Sequence, residues 1–87
     1  MFKILLHKEA AHYYNKLDAN QQKRMNQAIE EIKKNPYIPQ KTKKLKGRLE
    51  GKYSYRLSHF RIIYFVDEKN EIIYIEAIGP RGDIYKP

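Results

Sequence analysis

The run Tyr53-Ser54-Tyr55-Arg56-Leu57-Ser58-His59-Phe60-Arg61-Ile62-Ile63-Tyr64-Phe65-Val66 decides the architecture. Side chains along a strand point alternately to opposite faces. Tyr53, Tyr55 and Leu57 therefore share one face, and Ser54, Arg56 and Ser58 the other. His59 reads as a turn. Beyond it Phe60, Ile62, Tyr64 and Val66 share a face, against Arg61, Ile63 and Phe65. Two runs of period two joined by so short a turn predict an antiparallel hairpin.

Downstream, Asp67-Glu68-Lys69-Asn70 is a polar turn, and Glu71 to Gly79 is a third strand. Strict alternation sets Ile73, Ile75 and Ala77 against Ile72, Tyr74, Glu76 and Ile78. The tail from Pro80 to Pro87 carries a glycine turn. Upstream lies Lys41 to Lys52, read as a basic segment with six cationic residues and one acidic residue. Pro36 to Gln40 is a loop punctuated by prolines. Before it the period becomes helical. Met25, Ala28, Ile29 and Ile32 form one stripe, closed near Asn35 because Pro36 disfavours a helical residue before it. Asp18 is the N-cap of this helix, with Gln21 as its capping-box partner. Ala10, Ala11, Tyr14 and Leu17 mark an earlier helix from about Lys8 to Leu17. Phe2 to Leu6 suits a short strand. The order is β-α-α-β-β-β. A thin sheet needs a covering layer, so the helix hairpin lies on one face of an antiparallel sheet. The expectation is a small α+β fold, one domain over residues 1–87.

Composition narrows the function. Eighteen Lys and Arg against ten Asp and Glu give a net charge of +8, and 41% of residues are hydrophobic. That apolar fraction argues against disorder. A chain of 87 residues buries only about 60% of its unfolded surface, so an enclosed pocket is not expected and a ligand belongs on an open face. There is no cysteine, hence no disulfide or thiolate metal site. The longest apolar run, Ile62 to Val66, falls far short of the ~20 residues of a bilayer span. A soluble, cytosolic protein without a membrane partner is expected. His7 and His12, at i and i+5, miss the helical metal spacing, so neither a metal nor any other cofactor is expected.

The polar strand positions Ser54, Arg56, Arg61 and Glu76 belong to the uncovered face, with Arg81 just beyond the third strand. Clustered cations repel unless an anion lies between them or a carboxylate such as Glu76 pairs with one. Arginine suits phosphate because its planar fork donates to two oxygens. Tyr85 fits two roles: a base-stacking or proton-handling group, or an aromatic plug at the sheet edge. Lys41, Lys43, Lys44, Lys46, Arg48 and Lys52 read as backbone-phosphate contacts, with a solvated basic loop as the plainer alternative. His59 is a surface turn residue or an acid–base group.

Tyr53 to Leu57, Phe60 to Tyr64, and Ile78-Gly79-Pro80-Arg81-Gly82-Asp83-Ile84-Tyr85, with Lys44-Leu45-Lys46-Gly47 before them, resemble the RelE/ParE toxin superfamily, nearest its RelE branch. The resemblance covers the whole chain. It implies the toxin of a type II toxin–antitoxin system: a metal-independent, cofactor-free endoribonuclease that enters the ribosomal A site and cuts mRNA. A ribose 2′-oxygen attacks the adjacent phosphorus, leaving a cyclic phosphate and a 5′-hydroxyl. It further implies that Arg61 stabilises the phosphate and Arg81 neutralises developing charge and serves the leaving oxygen. Tyr85 stacks on or deprotonates the nucleotide. Of the two basic residues on the preceding strand, one matches Arg56 and the other falls on Ser54. Lys52, Lys46 or His59 then stand in as base. Lys44, Arg48 and Ser54 join these as RNA contacts. The implied partners are the ribosome, mRNA and an acidic RelB-like antitoxin. A ParE-like toxin that binds DNA gyrase without nuclease activity, and a non-catalytic RNA-binding module, are the competing readings.

Overall fold

A computed structural model describes residues 2–80. The elements are β1 (Lys3–Leu6), α1 (Lys8–Asn15), α2 (Ala19–Lys34), β2 (Thr42–Lys44), a 3-10 turn (Gly47–Leu49), β3 (Lys52–Leu57), β4 (Phe60–Asp67) and β5 (Ile72–Pro80). The strands form one sheet in the order β1-β5-β4-β3-β2. The expected α+β fold is present: two helices and a five-stranded sheet.

The helices begin where their caps place them. His7 Nδ1 accepts from the Glu9 amide at 3.1 Å to start α1. The Asp18 carboxylate accepts from the Gln21 amide at 2.8 Å, and Gln21 accepts in return from the Asp18 amide at 3.4 Å. This reciprocal box satisfies two amides that the helix itself leaves unpaired. α1 stops at Asn15, short of Leu17. The Lys16 and Leu17 amides fall back on Tyr13 and Tyr14 carbonyls, both at 3.1 Å, tightening the chain into the turn that Asp18 must cap. α2 gives way at Asn35, before Pro36.

Three features of the sheet differ from the alternation reading. First, β1 runs parallel to β5, whereas the other pairs are antiparallel. No hairpin turn joins β1 to β5, so nothing local dictates their relative direction. Second, Thr42–Lys44 forms a short edge strand on β3, where the sequence reads only as a basic segment. Lysine has poor strand propensity but is common on edges, where its charge discourages pairing with other chains. Third, β5 slips by one residue: Ile63 pairs Ala77 while Tyr64 pairs Ile75, leaving Glu76 as an extra, bulged residue. The slip exchanges faces beyond it. Ile78 therefore enters the core, 5% exposed, and Ala77 turns to the opposite face.

The core lies between helices and sheet. Ala10, Met25, Ala28 and Ile32 from the helices meet Tyr55, Ile62, Tyr64, Ile73, Ile75 and Ile78 from the strands. Tyrosines close its β2 end. Tyr53 stacks on Tyr64, with ring centroids 5.9 Å apart, and meets Tyr37 edge-on at 5.2 Å. Tyr64 donates its buried hydroxyl to the Pro36 carbonyl, and Tyr37 donates to Glu68. Tyr55 donates to Glu31 Oε1 at 2.8 Å, which Lys41 Nζ also approaches at 2.9 Å. These bonds fasten the 36–41 connection to the sheet.

Candidate functional site

With the helices on one side, the remaining sheet face takes every second strand residue. Cross-strand pairing orders it into rows. Arg56 stands directly opposite Arg61, which pairs with Gly79. Lys43, Ser54, Ile63 and Ala77 form the next row. Lys52, Phe65, Tyr74 and Leu5 form the row after that. One end of the face is thus cationic and the other apolar. Phe65, Tyr74 and Leu5 are exposed, and the two rings lie 6.1 Å apart.

Two like charges directly opposite each other destabilise a bare strand pair. Arg56 reaches into solvent, while Arg61 is half-buried and leans along the sheet. Its Nη1 donates to Ser54 Oγ at 3.3 Å. Ser54 is fully buried, so the hydroxyl lies beneath the guanidinium, away from solvent. The lean separates the two charged heads without removing either from the face.

Lys52 occupies the middle of the face. Its Nζ lies 2.8 Å from Glu76 Oε1, a partly buried pair spanning β3 to β5 across β4. Glu76 is the extra residue of the β5 bulge. Alternation alone puts Glu76 on this face but gives no reason for it to meet Lys52.

The other sequence candidates scatter. Lys44 pairs with Tyr53, so its side chain takes the helix-side face, while Lys43 faces the arginines. Lys46 and Arg48 are exposed in the connection from β2 to β3, around the 3-10 turn. That connection needs the left-handed backbone at Gly47, φ 67°, which disfavours other residues. His59 lies at the tip of the β3–β4 hairpin after Ser58, whose φ is 53°. It lines a cleft of about 420 Å³ with Lys23, Arg24 and Asp18, at the start of α2 rather than on the open face. Arg81 and Tyr85 lie outside the described residues. Lys23 and Arg24 were not singled out in the sequence, since they sit in a helix with no period linking them to the hairpin. Among the described residues no cluster of three or more His, Asp or Glu side chains could hold a metal, and no helix is long and apolar enough to cross a membrane.

The face can therefore offer an anion one tethered and one solvent-exposed guanidinium on facing strands, with an ammonium–carboxylate pair on the same face. Comparison with known proteins bears on the fold and the family. The chain is similar to the archaeal RelE–RelB complex of Pyrococcus horikoshii OT3, with a TM-score of 0.80 and 25% identity, covering 94% of this chain and 97% of that one. It is similar to the YoeB–YefM toxin–antitoxin heterotetramer of Staphylococcus aureus, with a TM-score of 0.71 and 26% identity over 88% of this chain and 93% of that one. The intact E. coli RelBE complex gives a TM-score of 0.78 at 20% identity, over 92% and 96% of the two chains, a likeness of fold. No curated protein sequence gives a significant match. Residues 4–87 match the family of ParE-like toxins of type II bacterial toxin–antitoxin systems, and the chain belongs to that family, within the RelE/ParE superfamily.

Proposed function

We propose that this toxin is a ribosome-dependent endoribonuclease that cuts mRNA in the A site, without metal, by attack of a ribose 2′-oxygen on the neighbouring phosphorus. The observation that carries this reading is the facing pair Arg56 and Arg61 on the uncovered sheet surface. A phosphodiester that gains negative charge on its way to a pentavalent phosphorus is stabilised by guanidinium groups on facing strands. The bond formed is from the 2′-oxygen to phosphorus, and the bond broken is from phosphorus to the 5′-oxygen. The 2′-hydroxyl proton leaves to a base, and the 5′-oxygen acquires one. Arg61 stabilises the transferred phosphate and Arg56 adds charge from the facing strand. Arg81 serves the leaving group and Tyr85 the nucleotide, as the RelE resemblance implies. Lys52 is the base candidate on the same face, 2.8 Å from Glu76 Oε1. Lys43 extends the cationic track, and Lys46, Arg48 and His59 contact RNA outside the reaction centre. Lys44, on the strand's other side, is a peripheral RNA contact.

The partners follow from charge. A surface of net charge +8 favours ribosomal RNA and mRNA, and an acidic RelB-like antitoxin as its inhibitor. The matched solved structures include toxin–antitoxin complexes, which supports an antitoxin partner. Action on ribosomes places the toxin in the cytoplasm. The ParE-like family description favours a second reading, poisoning of DNA gyrase by binding. The two are separated with ribosomes programmed with a defined codon in the A site. Wild-type toxin is expected to cut the codon, and Arg61→Ala to cut it at least about 100-fold more slowly. Intact mRNA alongside trapped gyrase–DNA complexes would establish the gyrase reading instead.

A further inference from the structure

We infer that Ser54 is a positioning residue for Arg61, a pin for its phosphate-binding guanidinium; the catalytic part of this inference rests on the nuclease reading above. Three observations lead to it. Ser54 is fully buried, although it belongs to the polar side of β3. Buried hydroxyls demand a partner, and its Oγ accepts from Arg61 Nη1 at 3.3 Å. The two residues are diagonal rather than opposite: Ser54 pairs with Ile63, and Arg61 with Arg56. A diagonal contact is within reach of a long side chain, and making it turns Arg61 away from the cation directly facing it.

The bond settles what Ser54 does and does not do. Fully buried, it offers no surface to an RNA ribose, so its part is neither base nor RNA contact. A lysine there would place a second ammonium, cut off from water, beneath a guanidinium. Serine fits because it accepts one hydrogen bond and adds no charge. Its contribution to the reaction is to hold the Arg61 fork in one direction before substrate arrives, so that less ordering is needed in the transition state. Threonine supplies the same oxygen; alanine leaves the guanidinium with one tether fewer.

The test uses the full-length chain with arginine labelled by nitrogen-15. Arg61 signals are assigned by their loss in Arg61→Lys. Rotation of the Arg61 guanidinium about its Nε–Cζ bond is then followed by NMR exchange in wild type, Ser54→Ala and Ser54→Thr. Ser54→Ala is expected to speed rotation about tenfold, the equivalent of one hydrogen bond to a charged group, and Ser54→Thr to leave it near the wild-type rate. On programmed ribosomes, Ser54→Ala should lower kcat about tenfold with KM little changed, and Ser54→Thr should restore it. Rotation that is the same in Ser54→Ala and wild type overturns the inference, whatever the cleavage result. If wild type leaves mRNA intact, the nuclease reading fails and the rotation rates still decide whether Ser54 holds Arg61. Unchanged melting of each variant by circular dichroism confirms that the fold is common to all.

Discussion

Arg56 and Arg61 show what a single residue's position can reveal. Their placement on the polar side of adjacent strands is legible from alternation alone, and the structure makes them direct cross-strand partners. Ser54 was legible only as polar. Its burial and its hydrogen bond from Arg61 are tertiary features with no sequence period. The tyrosines carry a prediction of their own. Burial, aided by the Glu31 hydrogen bond, pushes the Tyr55 hydroxyl from 10.0 up to about 12, and burial pushes Tyr64 higher still. A raised tyrosine pKa contributes stability that is complete below pH 10.0 and is lost as pH rises through about 12. Urea midpoints should therefore fall across that interval, and Tyr55→Phe should flatten the fall, being less stable than wild type at neutral pH. Glu31 works in the opposite direction. Hydrogen bonds from Lys41, then Tyr55, hold its carboxyl below the usual carboxylate range. Its contribution is present above that range and fades as pH drops through it, modestly, because the Lys41 pair is open to solvent.

Among the elements, α2 is the one whose limits were fully readable, because Asp18, Gln21 and Pro36 each act locally. Asp18→Ala removes a cap that accepts at 2.8 Å. It should cost about 1 kcal/mol by urea unfolding, with Asp18→Asn recovering most of it. β2 and the β5 bulge were not readable. Three residues of Thr-Lys-Lys form a strand only because β3 offers an unpaired edge. The bulge arises where β4 and β5 settle their register, and period-two counting has no means of inserting an extra residue. The bulged residue itself, Glu76, pairs with Lys52. Glu76→Gln should leave the sheet intact and free the ammonium to meet RNA phosphate. Affinity for a non-cleavable, 2′-deoxy mRNA analogue on the ribosome should rise, most clearly at low salt, as a binding titration would show.

At the scale of the whole molecule, a +8 chain folds two helices against one face of a five-stranded sheet, and the other face carries Arg56, Arg61 and Lys52. Fold class was legible in 87 residues, because alternation is a property of the chain itself. The division of that face into a cationic end and an apolar end was not, because it depends on which strands become neighbours. The central claim is that guanidinium groups on this face promote attack by a ribose oxygen. It is tested most directly by the chemistry of the ends left when the purified wild-type toxin acts on mRNA in programmed ribosomes. A 2′,3′-cyclic phosphate upstream and a 5′-hydroxyl downstream of a cut in the A-site codon are expected, and they should vanish with Arg61→Ala. A 5′-phosphate at the cut, or uncut mRNA at toxin concentrations that arrest translation, would contradict it.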